Sequence, residues 1–157
     1  LKKIYIFGFI SILLTFLGFY LIENMFTINP DVWSGNGNLG ILIMMLFSPI
    51  FILSYFLTYK ISREISYNIM KRKIRVVILT LALISCALLI LPIVNYAREL
   101  VIALGGTPSN PNSKIFRFGW FNQYTNSIYF NVYTFLLTHI IAVIIGILSV
   151  IKNKTIK

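Results

Sequence analysis

The sequence predicts an all-α, polytopic membrane protein: a four-transmembrane-helix bundle with both termini on the cytoplasmic side. Three observations carry this. Of 157 residues, 58% are hydrophobic and 11% charged, against about 25% charged in soluble domains. The apolar residues gather into four runs of about 20, the length that crosses a bilayer core of about 30 Å. The 14 Lys and Arg residues sit in short segments flanking those runs, where charge sets topology. A mean hydropathy of +0.86 agrees.

The net charge of +10 would suit a nucleic acid, but no separate basic domain exists to carry one, so no nucleic-acid partner is expected. The single cysteine, Cys86, lies inside an apolar run and forms neither a disulfide framework nor a Cys-x-x-Cys motif. The whole chain, 1–157, reads as one membrane domain.

The first span is predicted at about 4–22. It follows Lys2 and Lys3, but it is too long for a signal-peptide core and no small-residue cleavage pair follows it, so it reads as uncleaved. Gly8, Ser11, Thr15 and Gly18 share a narrow arc at helical spacing. In lipid such small and hydroxyl residues draw helices together by letting backbones approach.

Residues 23–38 form a short outer loop rich in Asn and Gly, with Trp33 as an interfacial anchor. The second span, about 39–59, contains Ser48-Pro49. Proline removes a donor and frees the carbonyl four residues earlier, here Met45, so a kink is expected at mid-membrane.

A connector, 60–73, follows with Lys60, Arg63, Lys71, Lys73 and Arg72, and Arg75 lies just beyond it. Part of it is expected to prolong the second helix, with Ile61, Ile65 and Ile69 in the interface and the cations on anionic lipid headgroups, at about 1 kcal/mol each.

The third span is predicted at about 74–94, with 95–104 as a kinked extension beyond Pro92 that Gly105 and Gly106 would stop. The second outer loop, 95–129, is unusually aromatic. Phe116, Phe118, Trp120, Phe121 and Tyr124 suit an aromatic belt, a folded cap over the bundle, or a partner-binding patch. The fourth span, about 130–151, carries Asn131, Thr134, Thr138, Ala142, Gly146 and Ser149 on one face. The first and fourth spans are expected to pack along their two small-residue stripes.

With 11 of the 14 basic residues on the side of the connector and both ends, and only Arg98, Lys114 and Arg117 opposite, the positive-inside bias places the termini in the cytoplasm and the protein in the plasma membrane.

His139 is the one histidine and, cysteine aside, the only ionisable side chain in the middle of a span. Counted from the helix ends it lies about 13–14 Å deep at 1.5 Å per residue, level with Ser48 and near Thr15, Ser85, Cys86 and Thr138. This midplane polar layer is either interhelical glue, with histidine bonding a Ser or Thr across helices, or a proton or ligand path.

A lone histidine and one cysteine are too few for a metal, so none is expected, nor any cofactor. No paired carboxylates, nucleophile with its base, or phosphate-cradling loop appear, so catalysis is not expected. The expected activity is interaction with the anionic bilayer and with another membrane protein or itself, as a subunit, an assembly or regulatory factor, or a protective factor. The alternative is a transporter or channel component using the layer around His139.

Overall fold

The computed structural model describes residues 2–35 and 37–155, with side chains described for 3–35 and 37–151. Among them the chain is all-helical: α1 (Lys2–Asn24), α2 (Leu39–Asn68), α3 (Arg72–Ala103), two short helices α4 (Lys114–Phe118) and α5 (Asn126–Tyr129), and α6 (Val132–Thr155). Four helices, α1, α2, α3 and α6 with its α5 lead-in, are long and apolar enough to cross a membrane. The side chains of Lys2, Lys152, Lys154 and Lys157, on which part of the charge bias rests, lie outside the described ones.

α2 is the hub, packed between α1 and α6, while α3 lies against the other side of α6. This corrects the expected pairing of the two small-residue stripes with each other. Both face α2. The α1 stripe of Gly8, Ser11, Thr15 and Gly18 is buried, with Gly8 under Ile61 and Gly18 under Phe47 and Phe51. On α6, Gly146 lies against the backbone of Tyr59 and Arg63. Contact between α1 and α6 is left to aromatic rings, Phe16 and Phe19 against Phe135 at 5.3 and 5.6 Å. Phe19, Ile22, Phe51 and Phe135 form the buried core where the three helices meet. α3 is different in kind: although it lies against α6, its most apolar stretch buries none of its residues.

Local chemistry sets the helix ends. α2 runs unbroken through Pro49, and the Met45 carbonyl that proline frees accepts the Ser48 hydroxyl at 2.9 Å. It continues to Asn68, so most of the connector is helix and the turn to α3 is only residues 69–71. Arg75, 6% exposed, folds back to donate to the carbonyls of Ser66 (2.6 Å) and Met70 (3.2 Å), covering the open end of α2. α3 keeps its helix through Pro92 to Ala103. Gly106 N–H then bonds the Val101 carbonyl and Gly105 N–H that of Ile102. Both glycines have positive φ (107° and 86°), the left-handed ending that glycine alone adopts cheaply. α6 starts at Val132, two residues beyond the expected 130: Asn131 is its cap, its Oδ1 accepting from the N–H groups of Tyr133 and Thr134.

Candidate functional site

Three places hold the predicted residues: a cap at one end, a polar seam inside the bundle, and the basic end.

Residues 25–35, 37–38 and 104–131 knit into one cap. Its core is Leu104, Ile115 and Tyr124, flanked by Ile28, Leu100, Val101 and Phe118. Asn38 and Asn126 exchange amide bonds (2.9 and 2.7 Å), and Ile28 N–H donates to the Gln123 carbonyl at 2.8 Å. The fully buried Tyr124 accepts from Ser34 N–H at 2.8 Å.

The least foreseeable member is Lys114. It is 7% exposed and its Nζ donates to the carbonyls of Pro30 and Val32 while lying 4.4 Å from the Tyr124 ring centre and 4.9 Å from that of Trp33. A buried ammonium needs such compensation. Arg117 covers the Trp33 ring from 5.4 Å, so Trp33 belongs to the cap's cation-aromatic stack while still exposing most of its surface.

Of the five loop aromatics, Tyr124 is structural and Phe118 partly so. Phe116, Trp120 and Phe121 stand 56, 42 and 73% exposed, Phe121 stacked on Tyr129 at 4.8 Å. A cap whose core closes without these three presents them outward.

Within the bundle, His139 is nearly buried and both its ring nitrogens are engaged. Nδ1 lies 2.9 Å from the Phe135 carbonyl. A carbonyl only accepts, so Nδ1 carries the proton, and Nε2 accepts the Ser54 hydroxyl at 3.0 Å. The imidazole packs between the rings of Tyr55 (5.0 Å) and Phe135 (4.4 Å). Beside it Thr138 bonds its own helix and lies 3.3 Å from the Tyr55 hydroxyl.

The partner of His139 is thus Ser54, not Ser48, which is exposed and returns to Met45. Equal depth from helix starts misplaced them because the helices start at different heights. The pairs Ser54 with His139 and Ser62 with Gly146 set α2 and α6 parallel at an offset of 84–85 residues. Val132 therefore lies level with about Phe47, and α2 begins about 12 Å higher, at 1.5 Å per residue. There Gly40 abuts Asn126 of the cap. Thr15 is buried with its hydroxyl unpartnered; Ser85 and Cys86, half-buried on α3, take no part in the His139 bonds.

A serine hydroxyl at 3.0 Å from a histidine nitrogen has the spacing of a nucleophile and its base. Ser54 is fully buried, however, and neither the cleft at the basic end nor the small cavity under the cap is lined by either residue. The pair pins α2 to α6. Among the described residues no three metal-ligating side chains gather.

At the basic end Lys71, Arg72 and Lys73 are exposed at the turn, while Arg75 is consumed by the end of α2. Lys60 and Arg63 line a cleft of about 350 Å³ between α2 and α6, with Glu64, Tyr67, Asn68 and Val150. Set beside known proteins, the chain matches no family model, no curated protein and no solved structure.

Proposed function

We propose that this protein is a non-enzymatic component of the plasma membrane that acts by interaction, as a subunit, an assembly or regulatory factor, or a protective factor, and that its contact surface is the aromatic side of the cap. The observation that supports this is the exposure of Phe116, Trp120 and Phe121 on a cap whose own core is complete without them. Aromatic residues grouped with an arginine, here Arg117, are the composition of protein contact surfaces. With the basic residues concentrated at the far end, the positive-inside bias puts the cap outside the cell and both chain ends in the cytoplasm.

The test is photo-crosslinking from position 121 in native membranes, alone and with Phe116→Ser and Trp120→Ser. The expected result is a protein adduct, to another membrane protein or a second copy, that the two substitutions abolish while helix content is kept. Adducts to lipid alone would make the surface an interfacial belt and overturn the proposal. The engagement of both ring nitrogens of His139 inside the bundle weighs against the transporter alternative.

A further inference from the structure

We infer that the cleft between α2 and α6 at the basic end is a binding site for the phosphate of one anionic phospholipid. Lys60, Arg63, Glu64 and Tyr67 are spaced i, i+3, i+4 and i+7, so they form one face of α2. With Asn68 beside them and Val150 of α6 as an apolar wall, they line a cleft of about 350 Å³, within the usual range of roughly 300–1,000 Å³ for small-ligand sites.

Its depth argues for lipid. Gly8 against Ile61 sets Lys3 of α1 level with about residue 66 of α2. The α2–α6 offset puts Ile151, the last position of α6 before its first charge, at the same level. On both neighbouring helices the apolar stretch therefore persists to that plane. On α2, charge enters earlier: Arg63 is about 4–5 Å and Lys60 about 9 Å inside it, at 1.5 Å per residue.

Cations inside the apolar boundary are costly unless they reach water or an anion. Long side chains can snorkel outward; here both are exposed and line the cleft, where an anion at this depth can reach them. A phospholipid already in the bilayer brings its phosphate to this depth with its chains in place, whereas a soluble anion would have to leave water. Glu64 opposes such a ligand, and its removal gives a test of opposite sign. The inference is independent of the cap, at the other end of the bundle, and its failure leaves that reading intact.

The experiment is native mass spectrometry of the full chain in mild detergent, titrated with phosphatidylglycerol or phosphatidylcholine of the same acyl chains. Phosphatidylglycerol should be retained about thirtyfold more strongly, as expected for two cations near the surface at about 1 kcal/mol each. Lys60→Gln with Arg63→Gln should remove that preference. Lys71→Gln with Lys73→Gln, an equal loss of charge outside the cleft, should leave it within about twofold. Glu64→Gln should strengthen it, and decides the matter if the first double variant fails to fold. Equal retention of the two lipids, equal loss in both double variants, weakening by Glu64→Gln, or displacement by glycerol 3-phosphate would each overturn the inference, the last by making this a site for soluble anions.

Discussion

Gly146→Ala tests the seam on which the architecture depends. A Cβ at this position would lie 2.7 Å from the Tyr59 carbonyl oxygen, 2.9 Å from Ser62 Cβ and 3.1 Å from Arg63 N. Two of these are backbone atoms and cannot rotate away, so α6 must move off α2 by roughly half an ångström, against an overpacking cost of about 1–3 kcal/mol. Replacing glycine in a helix returns about 1 kcal/mol, leaving a net loss of up to about 2 kcal/mol. Gly8→Ala provides the control. Its Cβ would meet only the Cδ1 tip of Ile61, at 2.5 Å, and a change of isoleucine rotamer costs about 0.5–1.5 kcal/mol, which the same propensity gain offsets. The two variants should separate clearly in an SDS titration followed by far-UV circular dichroism. If Gly146→Ala is as stable as Gly8→Ala, α2 and α6 do not approach at this point and the offset of 84–85 residues is wrong.

Three further outcomes follow from particular contacts. A double-mutant cycle of Ser54→Ala and His139→Phe should show a coupling of about 0.6–2 kcal/mol in the same titration; strict additivity would mean the two side chains do not bond. Lys114→Met should loosen the cap while sparing the bundle: each charged hydrogen bond to Pro30 and Val32 contributes about 1.5–3 kcal/mol, so proteolysis within 25–38 should speed up by an order of magnitude or more. Unchanged cleavage there would deny Lys114 its role. Thr15→Val should stabilise by about 1 kcal/mol, since it replaces a buried hydroxyl with no partner by a methyl of similar shape; destabilisation would show that the hydroxyl is bonded after all.

Much of the architecture was legible because lipid imposes simple demands. Backbone groups in hydrocarbon must bond within their own segment, so four long apolar runs can only be helices. The Gly105-Gly106 stop and the extension past Pro92 are equally local, whereas the Ser48 hydroxyl that takes up the carbonyl freed by Pro49 emerged only with the structure. The α1 stripe of Gly8, Ser11, Thr15 and Gly18 was visible as a packing face for the same reason, since only small residues admit a neighbouring backbone.

What faces that stripe was not visible. Pairing and relative height are properties of two helices at once, and here the cap lifts the start of α2 about 12 Å above that of α6. That shift exchanges Ser48 for Ser54 as the partner of His139 and sinks Lys60 and Arg63 inside the apolar boundary of their neighbours, while the place of α2 between α1 and α6 brings both stripes onto it. In the same way Lys114 reads as one outer charge among three until residues 30–33 fold over it. The sequence by itself determined the helices, their ends and the asymmetry of charge, because those follow from hydrogen bonding and solvation along one segment. Only the tertiary structure decided register, because register is settled by side chains from different segments competing for the same space.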